Sequence, residues 1–279
     1  MTRKIFWTDF SASEYGNIDP MKTIAIVPIA AVEQHGPHLP VGTDMILNQG
    51  CLDLLVKRAP TALDIRILPI QQVGKSNEHL WAKGTVTHTA HTLIDAWLEL
   101  GQSVSRAGVK KLVFINSHGG NESVMDIVGR ELRVRENMLV VKTGWTRFPP
   151  PEGLMTDIER RHGIHAGDLE TSLMMLFRPE LVHTNRLDDF RSIAARDEQH
   201  FKYLRPTGTH AYSWIASDLN PSGAVGNAAN ASPERGRIIA EAEVAGMLEL
   251  LAEVERFPLP GSADGEYEVD DIELFGRKE

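Results

Sequence analysis

TIAIVPIA, at residues 23–30, is an uninterrupted apolar run of the kind found in strands that are buried on both faces. Three further runs share this character: IRILPI (65–70), KKLVFIN (110–116) and MLVVKTG (138–144). A strand that is buried on both faces needs a layer of helices on either side of its sheet. These runs therefore predict an α/β protein.

Helical periodicity fills the sequence between and after the four runs, with Thr43 and Asp44 as plausible caps of the first helix. The predicted helices cover residues 45–59, 91–108, 122–136, 166–177 and 232–257. Strands that alternate with helices of this length form mainly parallel sheets. We therefore expect a mainly parallel central sheet covered on both sides, with residues 179–231 forming long loops and short elements over a site.

Composition excludes several classes of protein. The chain has 279 residues, 42% of them hydrophobic, and its net charge of −9 argues against nucleic acid or an anionic membrane as a partner. A single cysteine, Cys51, and an amino terminus unlike a signal peptide predict a cytoplasmic protein. No apolar run approaches the roughly 18–20 residues that span a bilayer.

We predict one domain over residues 1–257 and an acidic C-terminal extension over 258–279.

Candidate metal ligands follow the predicted strands. EQHGPHLPVGTD (33–44) supplies Glu33, His35 and Asp44, SHGGNES supplies His118 after the strand KKLVFIN, and HAGDLETS supplies Glu170. Loops at the carboxyl ends of neighbouring parallel strands meet in one crevice. Carboxylate and imidazole without a CxxC pair suit a catalytic Zn, Mn or Fe site and argue against a structural zinc.

Five ligands suit two metal ions that share a carboxylate. One arrangement gives Glu33, His118 and Asp44 to one ion, and His35, Glu170 and Asp44 to the other. Two dications against three carboxylates leave an excess of +1, which favours ionisation of a bridging water to hydroxide. Each residue alone has an ordinary explanation: a loop histidine is usually structural, Asp44 could cap a helix, and Glu170 could lie on a solvated face.

The segments VEQHGPHLPVGTD, NSHGGN and HAGDLETS closely resemble three motifs of the creatininase (creatinine amidohydrolase) family, and VGKSNEHLWAKGTVT resembles the segment between the first two. The resemblance extends over about residues 5–255. It implies a three-layer α/β/α fold, a two-metal site, hydrolysis of C–N bonds in small cyclic amides or formamides, and a homo-oligomer, with a hexamer favoured.

The resemblance marks Glu33, His35, Asp44 and His118 as metal ligands. In creatininase itself a glutamate stands two residues after the histidine that matches His118, but here that position is Gly120. Glu170 would then serve as the last ligand and as a catalytic residue, with Glu122 as its competitor. His165 matches the family's catalytic histidine, which carries a proton to the leaving nitrogen; a structural role is the alternative.

The same resemblance predicts residues that bind substrate. Ser76, Glu78 and His79 match a segment that lines the pocket, although a structural role is as plausible for Glu78 and His79. Gly119 and Gly120 would permit close approach of the backbone. His38 either orients a ligand or caps its loop.

Arg160, Arg161 and His162 stand where creatininase has an aromatic residue, which argues against creatinine as the substrate. If Arg161 faces the pocket, the substrate carries a carboxylate or phosphate; a solvated basic loop is the alternative.

The leading hypothesis is a metal-dependent amidohydrolase that acts on a small molecule. A ring-opening hydrolase of a carbonyl compound on the same dinuclear site is an alternative. A non-catalytic protein that binds a small molecule or nucleotide is a third reading, although SHGGNES lacks the lysine of a P-loop. No Gly-x-Ser-x-Gly elbow occurs, which argues against a serine hydrolase.

Overall fold

Four parallel strands form the main sheet of the computed structural model, which describes residues 3–259. They are β1 (Ile24–Ile29), β2 (Ile65–Ile67), β3 (Lys111–Asn116) and β4 (Leu139–Gly144), in the order β2-β1-β3-β4. Ile24 pairs with Ile65 on one side and with Lys111 on the other, so the chain reverses its direction of winding at β1. The carboxyl ends of β1 and β3 therefore lie side by side, where a site is expected.

Eight α-helices accompany the sheet within the described residues: α1 (Thr43–Arg58), α2 (Ala90–Arg106), α3 (Glu122–Glu136), α4 (Asp157–His162), α5 (Asp168–Phe177), α6 (Ile193–Asp197), α7 (Ala216–Leu219) and α8 (Pro233–Arg256). Alternate side chains of β1 enter two different cores. Ile24 and Ile26 pack with residues of α1 and α8, whereas Ala25 and Val27 pack with residues of α2 and α3. The predicted three-layer α/β/α arrangement is confirmed.

Three of the boundaries that differ from the prediction have a local cause. Helix α1 begins at Thr43 with Gly42 as its N-cap, so the prediction that Thr43 and Asp44 cap it is wrong, because Asp44 turns its carboxylate toward the site. Helix α5 begins at Asp168 rather than at residue 166, because Ala166 has φ 53°, a left-handed conformation that no helix contains. Strand β2 stops before Pro69, which lacks a backbone N–H.

Residues 179–231 contain short elements, as predicted. Besides α6 and α7 they include β5 (Asp189–Phe190) and β6 (Gly226–Asn227), which form a small antiparallel pair. Most of the predicted C-terminal extension lies outside the described residues, and the single-domain assignment stays a prediction. No helix between residues 3 and 259 has both the length and the apolar character needed to cross a membrane.

Candidate metal centre

The candidate ligands come from four segments that meet at the carboxyl edge of the sheet. Glu33 and His35 follow β1, Asp44 lies in the first turn of α1, His118 follows β3, and Glu170 lies in the first turn of α5. All are buried except Glu170, which is half-buried. Strands β1 and β3 carry the loops of Glu33, His35 and His118 to this edge, and the first turns of α1 and α5 add Asp44 and Glu170. The fold thus brings together residues that are up to 137 positions apart, from Glu33 to Glu170.

The five side chains are in direct contact. His118 Nδ1 lies 3.1 Å from Glu33 Oε1 and 3.7 Å from Asp44 Oδ2. His35 Nε2 lies 3.3 Å from Asp44 Oδ1 and 3.8 Å from Glu170 Oε2. Asp44 therefore stands between the two histidines.

The hydrogen bonds of three histidines follow one rule: each directs one ring nitrogen to a backbone carbonyl. His35 Nδ1 lies 3.0 Å from Glu33 O, His118 Nε2 lies 2.9 Å from Lys75 O, and His165 Nε2 lies 2.7 Å from Gln34 O. A carbonyl oxygen only accepts, so these nitrogens carry the N–H. The other nitrogen of each ring faces the carboxylates, which is the arrangement of metal-binding histidines.

Several polar atoms that face one another here are buried and have no hydrogen-bond partner among the described residues. They are Glu33 Oε1, Glu33 Oε2, His35 Nε2 and Asp44 Oδ2. Burying such atoms without a partner costs several kcal/mol each for charged groups, so native proteins pair them or give them a metal ion. The donor set of oxygen and imidazole nitrogen fits Zn or Mn. The residues present therefore fit a cation.

Acid and base groups of the cluster perturb one another strongly. Burial alone would lower the pKa of His35, but the carboxylate of Asp44 outweighs it and raises this pKa to about 9. Burial likewise opposes protonation of His118, yet Glu33 raises its pKa well above the ordinary value. Burial raises the pKa of Glu170 to about 7. In the absence of a cation, protons on these histidines and on Glu170 therefore offset the negative charge of the carboxylates.

His165 lies against this cluster but differs from His35 and His118. Its Nδ1 is 3.6 Å from Glu33 Oε1, and its ring centroid is 4.2 Å from that of His35. Burial lowers the pKa of His165 well below the ordinary value, and the neighbouring His35 adds to this effect. A neutral ring whose unprotonated nitrogen faces the site can accept a proton.

Ser76, Glu78 and His79 also surround the cluster. Ser76 Oγ lies 3.4 Å from His118 Nε2, and Glu78 Oε1 lies 3.3 Å from the same nitrogen. His79 Nε2 lies 3.4 Å from Glu33 Oε1. Each of the three therefore contacts a candidate ligand directly. The sequence alone could not show whether these residues contact a ligand or the substrate.

Gly119 and Gly120 differ in their surroundings. A Cβ atom at Gly120 would overlap the Lys75 carbonyl, the His118 ring and the Glu78 carboxylate, whereas nothing lies within 4 Å of the corresponding position at Gly119. Gly120 is therefore required by packing. Its missing side chain is what lets Glu78 reach His118.

Arg161 and Glu122 do not join the cluster. Arg161 is exposed, approaches Glu198 at 3.4 Å and lines a cavity that shares wall residues with the one that contains the ligands. Glu122 does line the ligand cavity, but its carboxylate lies 3.0 Å from Arg147 and 3.5 Å from Lys142. Glu170 is thus the better placed of the two competing ligands.

His38 lies behind α5 and not in the cluster. Its Nε2 is 2.9 Å from Thr171 Oγ1, and its ring stacks on Phe190 with centroids 5.3 Å apart. Thr171 follows Glu170 in α5, so His38 supports the helix that presents this carboxylate.

A cavity of about 760 Å³ opens over the cluster. Glu33, Asp44, His118, His165 and Glu170 are part of its floor and wall. Residues between 206 and 214 also line it, and Trp214 is the large side chain among them. This volume lies within the range of small-molecule sites, roughly 300–1,000 Å³.

Sequence reasoning missed Gln34. Its side chain is buried and contacts both His79 and His165. Its position between Glu33 and His35 was the feature of the sequence that could have indicated a role in the site. An uncharged amide is not itself a usual metal ligand or acid–base group, so the residue type gave no such indication.

The sequence model of the creatininase family, described as creatinine amidohydrolase, matches residues 8–251. The chain belongs to the creatininase family. This membership confirms both the resemblance and the prediction of a metal-dependent amidohydrolase.

The chain is similar to proteins that are named for different reactions. The chain is 30% identical over 219 residues to a mycofactocin precursor peptide peptidase of Mycobacterium ulcerans, covering 77% of this chain and 78% of the relative. It is 27% identical over 280 residues to a creatinine amidohydrolase of Pseudomonas putida, covering 92% and 99%. A solved structure described as "Creatininase Mn" superposes with a TM-score of 0.70 at 23% identity, covering 90% of this chain and 98% of that one. The fold is therefore that of the creatininases.

Proposed function

We propose that this creatininase-family protein uses two divalent metal ions to hydrolyse the C–N bond of a small cyclic amide or formamide other than creatinine. One observation carries the proposal: His35, His118 and His165 each donate one ring N–H to a backbone carbonyl and direct the other nitrogen to buried carboxylates. Rings held in this way are ready to bind a cation or to accept a proton. A purely structural role would give each carboxylate a donor.

Two sets of residues would hold the ions. Glu33 and His118 lie on one side of Asp44, whereas His35 and Glu170 lie on the other. Asp44 contributes to both sets. Two divalent ions there would supply a Lewis acid for a carbonyl oxygen and would lower the pKa of water at the site. Zn, Mn and Fe all accept these ligands.

His165 is the proton carrier of the proposed reaction. As the oxygen of a water molecule forms a bond to the amide carbon, the proton that this water releases passes to His165 Nδ1. The C–N bond then breaks with its electron pair on nitrogen, and the same proton moves from Nδ1 to that nitrogen. A carboxylic acid and an amine result. The N–H of Nε2 stays with the carbonyl oxygen of Gln34 throughout, at 2.7 Å, which keeps the ring oriented.

The cavity supports a small and uncharged substrate. Beyond the cluster its lining includes Thr207, Ser213 and Trp214, which offer hydroxyl groups and an aromatic surface. Arg161 lines neighbouring cavities, so a carboxylate or phosphate on the substrate would find this guanidinium only by extending past Pro206 and Thr207.

A peptide bond is the second candidate. The relative in Mycobacterium ulcerans is named as a peptidase and is 30% identical to this chain. In addition, the ligand cavity and the cavity that contains Arg161 share Ile164, Pro206 and Thr207 as lining residues. An extended substrate could therefore occupy both.

An activity screen tests the proposal. Protein loaded with Zn or Mn should be assayed against cyclic amides, formamides, short peptides and cyclic ketones. We expect turnover of a cyclic amide or formamide that is lost in His165→Asn and retained in His91→Asn, since His91 is fully exposed on α2. Turnover of cyclic ketones alone would favour the ring-opening hydrolase. If the purified protein contains no metal, binds a nucleotide and turns over none of these compounds, the proposed hydrolase activity is refuted.

We also propose a homo-oligomer, with a hexamer favoured. Leu80, Trp81 and Val86 support it, because they leave an apolar surface exposed beside the site. Light scattering coupled to size-exclusion chromatography measures the mass directly, and a monomeric mass would refute this proposal.

A further inference from the structure

We propose that Gln34 is a positioning residue that sets His79 and His165 in the same tautomer, with the proton on Nε2, while the two rings turn opposite nitrogens toward Glu33. His79 then turns a protonated nitrogen toward Glu33, whereas His165 presents an unprotonated nitrogen to the cluster. The catalytic meaning of this rests on the proposed function, but the hydrogen bonds that support it do not.

The orientation of the Gln34 amide is fixed by two backbone groups. Its Oε1 accepts from the N–H of Gly36 at 2.8 Å, and its Nε2 donates to the carbonyl oxygen of Gly223 at 3.1 Å. A backbone N–H can only donate and a carbonyl can only accept, so exchanging the oxygen and nitrogen of the amide would break both bonds. Gly223 also packs so tightly on this amide that a Cβ atom there would overlap it.

The second N–H of this amide determines the tautomer of His79. Gln34 Nε2 lies 2.8 Å from His79 Nδ1, and because the amide nitrogen donates, Nδ1 must be unprotonated. The proton of the His79 ring is therefore on Nε2, which lies 3.4 Å from Glu33 Oε1. A ring nitrogen that carries a proton cannot bind a cation. His79 thus directs its N–H toward the carboxylate of Glu33 and is not a ligand.

The backbone of the same residue determines the tautomer of His165. The carbonyl oxygen of Gln34 lies 2.7 Å from His165 Nε2 and can only accept, so the proton of this ring is on Nε2. His165 Nδ1 is left unprotonated toward the cluster, 3.6 Å from Glu33 Oε1. The two histidines lie close, with ring centroids 4.6 Å apart, yet only His165 can take a proton from the site.

Spectroscopy of the zinc-loaded protein tests this assignment. Long-range ¹H–¹⁵N spectra of protein with ¹⁵N-labelled histidine report which nitrogen of each ring is protonated, and His79→Asn and His165→Asn assign the signals. We expect Nε2–H for both rings in the wild-type protein. In Gln34→Glu the new carboxylate cannot donate, so we expect His79 to change to Nδ1–H while His165 keeps Nε2–H. We expect kcat to fall roughly 10- to 100-fold, as when partners of metal-site residues are lost.

Two further variants separate this role from packing. Gln34→Met removes the donor without adding charge and should leave His79 as a mixture of tautomers, which keeps the test open if Gln34→Glu does not fold. Gln72→Glu, at an exposed position, should change neither ring nor kcat.

Nδ1–H on His79 in the wild-type protein would overturn the proposal, and so would an unchanged His79 in a folded Gln34→Glu. If the tautomers are as expected but no amide is hydrolysed, the proposed function fails while the role of Gln34 stands.

Discussion

Asp44 faces His35 with one carboxylate oxygen and His118 with the other: Oδ1 lies 3.3 Å from His35 Nε2, and Oδ2 lies 3.7 Å from His118 Nδ1. This carboxylate is buried in the first turn of α1, and it does not cap the helix, because the N-cap residue is Gly42. Shared contact with both histidines is what a carboxylate that bridges two cations requires.

Replacing Asp44 should therefore empty both proposed metal positions together. We expect Asp44→Asn to reduce the metal content from about two ions per chain toward zero and to reduce kcat by more than about 100-fold. Elemental analysis of the purified protein measures this. Asp53→Asn, at an exposed position of the same helix, is the matched control. Retention of one full equivalent in Asp44→Asn would show that Asp44 does not bridge.

Gly119 and Gly120 offer a comparison between neighbouring positions. A methyl group at Gly120 would push against His118 and Glu78, whereas the same group at Gly119 would meet nothing within 4 Å. We expect Gly120→Ala to weaken metal binding by roughly 10- to 100-fold, because it displaces a ligand and its partner. Gly119→Ala should bind metal as the wild-type protein does. Competition with a chelator measures the metal affinity of each variant. Equal affinities of Gly120→Ala and Gly119→Ala would contradict the packing described for Gly120.

Much of the fold could be predicted because each buried strand is a continuous apolar run. The helix α3 was predicted at its observed bounds, Glu122–Glu136, since Asn121 and the periodicity agree there. The start of α5 was predicted at residue 166 and lies at Asp168, because the left-handed conformation of Ala166 cannot be recognised from the sequence. Strand order also depends on contacts between distant segments and could not be read from local pattern.

The candidate site was predictable to a similar extent. The positions of acid and imidazole in the sequence predicted that Glu33, His118 and Glu170 would meet, and all three line one cavity in the structure. Gln34 was missed because an extended segment would direct residue 34 away from residues 33 and 35. The chain instead turns sharply at Gly36, with φ 65°, and the Gln34 amide reaches two histidines.

Metal binding should release protons. Without a cation the carboxylates raise the pKa of His35, to about 9, and that of His118, so both rings are protonated at pH 7. A cation must displace these protons and the fraction of a proton that Glu170 carries at pH 7, so we expect release of roughly two to three protons per chain at pH 7 and an affinity that rises with pH up to about 9. Calorimetry of zinc binding in buffers of different ionisation enthalpy counts them. Heats that do not depend on the buffer would contradict the assignment of His35 and His118 as ligands.

Glu243 should make the protein less stable as the pH rises. It is buried in α8, its carboxylate accepts only the thiol of Cys51 at 3.7 Å among the described residues, and burial raises its pKa to about 8. Between the ordinary value of 4.5 and about 8, the folded state holds a proton that the unfolded state has lost. The free energy of unfolding therefore falls across this window, by about 3 kcal/mol at pH 7.

Glu243→Gln removes this titration while keeping the shape of the side chain. We expect the variant to gain stability over the wild-type protein as the pH rises from 5 to 8, and to differ little from it below 4.5, where both side chains are neutral. Urea unfolding at several pH values measures the difference. Glu249→Gln, at an exposed position of α8, should show no such trend. A constant difference between Glu243→Gln and wild type at every pH would mean that Glu243 is ionised in the folded core.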